Sequence, residues 1–109
     1  MAQDFEGSGA QITNSATTLL TANSDDALVG IRLANVLTSA VTVDVFIDDN
    51  GSGTLRYIVK GLALPASSSV ELVQGGSKIV LNSGDVLKGQ SNTASSVDVW
   101  LSRVDSIST

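Results

Sequence analysis

The sequence predicts an all-β protein, a single antiparallel β-sandwich of jelly-roll-like architecture with an extended N-terminal arm. Apolar and polar residues alternate with period two through most of the chain. Short turns rich in Gly, Asn and Asp separate the alternating segments at roughly 8–12-residue spacing, as in β-sandwiches. Only "TTLLTANSDDAL", residues 17–28, has any helical spacing, and its Thr and Asn content disfavours a helix.

Seven strands are predicted between residues 28 and 102. Their segments are "LVGIRLANV" (28–36), "AVTVDVFID" (40–48), "TLRYIVK" (54–60), "SVELV" (69–73), "KIVLN" (78–82), "VLKGQ" (86–90) and "SVDVWLS" (96–102). Alternation places four groups of residues on core faces: Val29, Ile31 and Leu33; Val41, Val43, Val45 and Ile47; Leu55, Tyr57 and Val59; Val97, Val99 and Leu101. Turns at 48–53, 74–77 and 82–85 supply the glycines that hairpins favour.

Residues 1–15, "MAQDFEGSGAQITNS", differ from the rest of the chain. Phe5 and Ile12 are their only large apolar residues, with Gly7 and Gly9 between them. Such a segment buries too little apolar surface to order itself. We therefore divide the chain into an N-terminal arm (1–15) and a β-sandwich domain (16–109). A disordered terminus is one alternative; we predict instead that the arm orders on a neighbouring subunit, with Phe5 and Ile12 as anchors.

Composition excludes several classes of function. The chain has no cysteine and no histidine, and it carries a formal net charge of −5. Disulfides, thiolate metal sites and the commonest general base are therefore absent. The six cationic residues are scattered singly, so we expect no nucleic-acid partner. The first residues lack the features of a signal peptide, and no apolar run approaches the ~20 residues of a membrane span. We expect synthesis in a cytoplasm and no membrane partner.

The segment "DDNGSG" resembles the start of a calcium-binding loop. Asp48, Asn50 and Ser52 are spaced like oxygen ligands, and Gly53 follows at the sixth position. The twelfth position is Val59, where such loops need a glutamate. Because β-turns select the same residue types, a plain hairpin is favoured and calcium is the alternative.

No catalytic residue and no cofactor are predicted. A serine nucleophile needs an activating base, and the chain offers neither His nor an SxxK motif. We therefore expect that the protein is not an enzyme.

Three stretches carry a resemblance to a known family. They are "VGIRLANVLTSAVTVDVFI", "YIVKGLALPASSSVELVQGGSKIVLNSGDVLK" and "SSVDVWLSRVDSI". From Leu28 to Val104 the chain resembles small β-sandwich structural proteins of tailed-bacteriophage virions, including capsid decoration (cement) proteins. Ser67 stands where such proteins often have glycine. The matching positions are Lys60, Pro65, Leu72, Leu81, Gly84 and Asp85.

The resemblance implies a function, a location and partners. It implies a non-enzymatic virion protein, made in the host cytoplasm, that decorates the outside of the capsid. The implied partners are the major capsid protein or another virion protein, and further copies of the chain in a trimer or dimer. Related folds also occur in neck, baseplate and tail- or fibre-associated modules, some of them carbohydrate-binding. These modules remain the alternative, because a fold does not determine a function.

Three strands each place one large apolar residue on the face opposite the predicted core. These residues are Phe46, Ile58 and Trp100, and Thr, Asp, Arg and Lys surround them. An apolar centre with a polar rim is typical of a protein–protein interface. Isolated exposed hydrophobic residues and coverage by the N-terminal segment of the same chain are the alternatives. We predict contact with another subunit, with Trp100 as the main anchor.

Overall fold

The computed structural model of the chain describes residues 4–73 and 78–105. It confirms the predicted all-β class, since these residues form nine strands and one short 3-10 turn (Asp49–Gly51) but no α-helix. The strands are β1 (Asp4–Ile12), β2 (Thr17–Thr21), β3 (Asp26–Asn35), β4 (Val41–Asp48), β5 (Leu55–Leu64), β6 (Ser69–Glu71), β7 (Ile79–Leu81), β8 (Val86–Ser91) and β9 (Val97–Asp105).

The strands form two antiparallel sheets packed face to face. Sheet A has the order β1-β9-β3-β6, with β7 also paired to β3, and sheet B has the order β2-β8-β4-β5. This is the strand order of a jelly roll in which β6 and β7 together fill the place of one strand. The chain changes sheet at most of its connections, so neighbouring strands other than β4 and β5 are distant in sequence.

The core lies between the two sheets. The predicted alternation of β4 and β9 is confirmed, because Val43 and Val45 of β4 and Val97 and Leu101 of β9 are all buried. Among the buried polar residues, Asn35 is 3% exposed. Its side-chain amide donates hydrogen bonds to the carbonyls of residues 39, 64 and 65. Asn35 thereby fastens the connection after β3 to the end of β5.

The predicted N-terminal arm contains a strand of the sandwich. β1 pairs with β9 of the same chain without a break, from Asp4 opposite Asp105 to Ile12 opposite Val97. On the side of sheet A that faces sheet B, Arg103 forms a partly exposed ion pair with Glu6, its cross-strand partner. Residues 4–12, which were expected to order on a neighbouring subunit, therefore pair with their own chain.

Irregularities in β5 and β3 change which residues face the core. Relative to β4, β5 contains extra residues at two places, between the partners of Val43 and Val45 and between those of Val45 and Phe46. Gly61 lies at one of them with φ +68 and donates its N–H to Asp44 Oδ1 at 2.6 Å. A similar shift in β3 buries Leu28, whereas the predicted Val29 is only partly buried.

Two of the three predicted glycine turns lie in the described residues. Asn50, Gly51 and Gly53 have positive φ angles in the turn at 48–53, and Gly84 has φ +100 in the turn at 82–85. The turn predicted at 74–77 lies outside the described residues.

Candidate interaction surface

Trp100 lies at the middle of β9 on the outer side of sheet A. Its side chain is 56% exposed, and its cross-strand partners are Gly9 on β1 and Arg32 on β3. The outward orientation agrees with the prediction. We call the surrounding surface the Trp100 face and define it by Phe5, Gly7, Gly9, Gln11, Arg32, Asp98 and Trp100.

Two glycines of β1 make room for the indole. A Cβ atom on Gly7 would lie 2.8 Å from Trp100 Cζ2, and one on Gly9 would lie 3.2 Å from Cε3. Real Cβ atoms do not approach a non-bonded atom as closely as the 2.8 Å calculated at Gly7. The indole therefore occupies the space that any side chain at position 7 would need. The ring thus lies across β1, supported by main chain, with the remaining half of its surface open to solvent. Aromatic side chains that cover glycines on a neighbouring strand are a known way to stabilise such strands.

Polar pairs surround the indole. Gln11 donates a hydrogen bond from Nε2 to Asp98 Oδ1 at 2.8 Å, and Arg32 lies 3.8 Å from Glu71 in a partly exposed ion pair. A groove of about 360 Å³ runs beside the ring. Its lining residues are Gly9, Ala10, Arg32, Ala34, Asp98, Val99 and Trp100. The arrangement has an apolar centre and a polar rim, as protein interfaces do.

Phe5 is a second exposed aromatic residue on the same face. It is 83% exposed and lies opposite Val104 near the end of β1. Of the five residues predicted as interface candidates, Phe5 and Trp100 are exposed in the folded chain. Ile12 and Phe46 are buried, and Ile58 is partly buried.

Ile12 is fully buried in the chain's own core, so its predicted role as an exposed anchor is wrong. It lies on the side of β1 that faces sheet B. A Cβ atom on Gly89 of β8 would lie 2.5 Å from Ile12 Cδ1. The absence of a side chain at Gly89 therefore creates the space that Ile12 fills.

Phe46 faces outward on sheet B as predicted, but it is only 3% exposed. The ring of Tyr57 covers it, with the two centroids 5.1 Å apart, and Lys60 Nζ lies 4.7 Å above the Tyr57 ring. Tyr57 reaches this side because of the extra residues in β5. The same shift turns Ile58 inward, where it packs against the core. Phe46 and Ile58 are therefore not exposed interface residues.

Two of the three candidate calcium ligands in the turn at 48–53, Asp48 and Ser52, bond to other groups of the chain. Asp48 Oδ1 accepts a hydrogen bond from the Gly53 N–H at 2.8 Å, and Asp48 Oδ2 lies 3.3 Å from Lys88 Nζ. Ser52 Oγ donates to the carbonyl of Asp49. The Asn50 N–H donates a hydrogen bond to Asp85 Oδ1, which lies in the turn at 82–85. The Lys88 ammonium thus supplies the positive charge beside Asp48, and the hydrogen bonds are those of a hairpin turn.

No metal-binding group of three or more His, Cys, Asp or Glu side chains occurs within residues 4–73 and 78–105. Over the same part of the chain, no helix has the length and hydrophobicity needed to cross a membrane.

The sequence patterns alone did not indicate the supporting residues of the Trp100 face. Gly7 and Gly9 are two positions apart, as residues on one face of a strand must be, and this spacing was the available signal. No sequence signal pointed to Gln11 or Arg32, because their approach to Trp100 depends on strand pairing between distant segments.

No family model and no curated protein sequence matches the chain. Two crystal structures of a pentameric capsid protein isolated from metagenomic phage sequences have a similar fold, each with TM-score 0.51 and 20% identity over 93% of this chain. The chain spans 59% of the length of one and 67% of the other. A subunit of Bacillus endospore appendages, described as disulfide-linked pili, is similar with TM-score 0.52 and 16% identity, over 98% of this chain and 88% of that one. These similarities show a shared fold.

Proposed function

We propose that the protein is a non-enzymatic structural component of a phage virion, a decoration (cement) protein that binds the outside of the capsid. The observation that carries the proposal is the Trp100 face, where an exposed indole is supported by two glycines at the centre of a polar-rimmed surface. The partner in this proposal is the major capsid protein or another virion protein. The location is the virion, after synthesis in the host cytoplasm.

Three further observations support this proposal. The fold is similar to that of a phage capsid protein. The sequence from Leu28 to Val104 resembles virion β-sandwich proteins. The second type of structural neighbour is a disulfide-linked pilus, and these 109 residues contain no cysteine with which to form such links. Together they favour a virion role over a pilus role.

The Trp100 face has the anatomy of a binding hot spot. Tryptophan and arginine are enriched among residues that dominate binding energy, and such residues lie near the centre of an interface. Because the indole packs against the main chain at Gly7 and Gly9, its side chain loses little conformational entropy when a partner binds. The rim pairs Gln11–Asp98 and Arg32–Glu71 keep the face hydrated before it docks.

Copy number in purified particles tests the decoration role. A decoration protein covers the capsid surface, so we expect a copy number comparable to that of the major capsid protein by quantitative gel densitometry. A copy number sufficient for only one small ring would instead identify a neck, baseplate or tail component. Absence of the chain from purified particles would contradict the virion proposal itself.

A carbohydrate-binding module on a tail or fibre is the second candidate function. The groove beside Trp100 favours it, because an exposed aromatic ring next to Arg32 and Asp98 offers both stacking and hydrogen-bonding groups. A glycan array probed with the purified chain and with Trp100→Ala tests it. Binding that depends on Trp100 would favour this candidate over capsid decoration.

A further inference from the structure

The free edge of β1 differs from the other described sheet edges. β1 has nine residues, pairs with β9 without a bulge, and contains neither proline nor lysine. The edge strand β5 has two irregularities and carries Arg56 and Lys60, β2 has five residues and one irregularity, and β6 and β7 have three residues each. Bulges, proline, charged side chains and short length are among the devices that prevent edge strands from pairing. Of these, β1 has only its two acidic residues, Asp4 and Glu6, both in its first half.

The main-chain groups on this edge follow from the hydrogen bonds of β9. The Val36 N–H donates to the carbonyl of Ser96, the residue before β9, whose own N–H donates to Ile12. Within β9 the even-numbered residues therefore direct their main-chain groups toward β3. Odd-numbered residues of β9 face β1, where their partners are even-numbered. Phe5, Gly7, Gly9 and Gln11 therefore direct their N–H and C=O groups away from β9, and no strand in the described part of the chain pairs with them there.

We propose that this edge pairs antiparallel with β1 of a second copy of the chain, about a two-fold axis at Ser8. In this register Gly7 lies opposite the partner subunit's Gly9, and Phe5 lies opposite the partner subunit's Gln11. Both members of each pair are odd-numbered, so the four opposed pairs exchange two hydrogen bonds each. Every free main-chain group of the four residues is then satisfied.

Ser8 gives independent support for the position of the axis. Its Oγ is buried and has no hydrogen-bond partner in the described structure. A two-fold axis at Ser8 places the partner subunit's Ser8 directly opposite on the same side of the sheet, with Cβ atoms about 5 Å apart. Because each Oγ is buried in its own chain, the two hydroxyl groups bond to each other after rotation about χ1. Paired hydroxyl residues on adjacent strands are a known stabilising contact.

The charges of β1 also fit this register. Its acidic residues, Asp4 and Glu6, both lie in its first half, and it carries no basic residue. The axis at Ser8 sets Glu6 opposite the partner subunit's Ala10 and Asp4 opposite the partner subunit's Ile12, so no like charges face each other. An axis at residue 6 would instead bring two Glu6 carboxylates together. The inference concerns the isolated chain and does not require the virion role.

Site-directed cross-linking tests the register directly, because the chain has no cysteine of its own. We expect Ser8→Cys to form a covalent dimer under mild oxidation, since residues on the axis approach within disulfide range. Ala10→Cys is the matched control on the same side of β1. Its two copies would lie about 13 Å apart along the strands, which is too far for a disulfide. We expect it to remain uncross-linked.

Sedimentation of the unmodified chain tests the association. The chain has a mass of 11.1 kDa, and we expect a species of twice this mass. A monomer at every concentration would overturn the proposal. A dimer in which Ser8→Cys fails to cross-link, or in which Ala10→Cys cross-links as readily, would also overturn it and would indicate exchange of β1 or a different contact.

Blocking the edge provides a separate test. Gln11→Pro removes an N–H that points away from β9 and leaves the β1–β9 hydrogen bonds in place. We expect this variant to be monomeric, whereas Gln11→Ala, which keeps the N–H, stays dimeric. Circular dichroism checks that both variants fold. If folded Gln11→Pro dimerises as the unmodified chain does, the proposal is wrong. Neither result depends on whether the chain binds capsids.

Discussion

Replacing Trp100 with alanine separates the two roles of the indole, support of β1 and contact with a partner. The side chain is 56% exposed, so a little under half of its surface lies against its own chain. For a side chain of about 250 Å², the covered part is roughly 110 Å², worth at most about 3 kcal/mol of the free energy of unfolding. The exposed part is roughly 140 Å², worth about 3.5 kcal/mol if a partner covers it.

Co-sedimentation with particles that lack the protein measures the contribution of the exposed part of the indole to binding. We expect Trp100→Ala to weaken attachment by about two orders of magnitude, because about 1.4 kcal/mol corresponds to a tenfold change in Kd. Urea denaturation measures the contribution of the covered part to the free energy of unfolding. Attachment is then assayed under conditions in which both the unmodified chain and Trp100→Ala are folded. Leu55→Ala is the matched control, since Leu55 is 40% exposed but lies on β5 in sheet B. It should attach like the unmodified chain.

Two results would refute this reasoning. If Trp100→Ala attaches as tightly as the unmodified chain, the Trp100 face is not the contact. If the free energy of unfolding falls by more than about 4 kcal/mol, the indole carries the energy expected of a core residue, and its large exposed surface would be incorrectly assigned.

Other substitutions and conditions test the supporting geometry. Gly7→Val should displace the indole, shifting the fluorescence of the single tryptophan and weakening attachment; unchanged emission would contradict the short contact at Gly7. Asn35→Ala should lower the free energy of unfolding, measured in urea, by about 2–3 kcal/mol, because three main-chain carbonyls lose a donor; a loss under about 1 kcal/mol would show that other donors replace the amide. Calcium and a chelator should give the same thermal midpoint, since Asp48 already bonds to Lys88 and Gly53; a higher midpoint with calcium would restore the calcium interpretation.

Regular strands were predictable from the sequence and irregular ones were not. Val43 and Val99 are buried as predicted, because β4 pairs evenly with β8 and β9 pairs evenly with β1. In β5 the alternation places Tyr57 inside and Ile58 outside, and the structure reverses both. Extra residues shift a strand by one position, and period-two counting cannot locate them in advance.

The first strand was missed for a different reason. Five of the nine residues of β1 belong to types with low strand propensity (Asp4, Glu6, Gly7, Gly9 and Ala10), so the segment has little intrinsic preference for the extended form. Its order comes from pairing with β9 and from the cover that Trp100 provides, and both depend on residues about ninety positions away. The exposed position of Trp100 could be predicted from local alternation alone. Its support by Gly7 and Gly9 could be predicted only with knowledge of the strand pairing.

The contact between Ile12 and Gly89 makes the two ends of β1 unequal. At its C-terminal end the strand places a fully buried side chain against the opposite sheet. Near its N-terminal end it is held by an ion pair between Glu6 and Arg103, and Phe5 is largely in solvent. Local opening should therefore begin at residue 4 and stop before residue 12, so that the amide hydrogens bonded to β9, those of the even-numbered residues, exchange progressively more slowly along the strand. The segment that starts the sheet is thus its most easily opened part, while the residue that ends it belongs to the most protected region of the molecule.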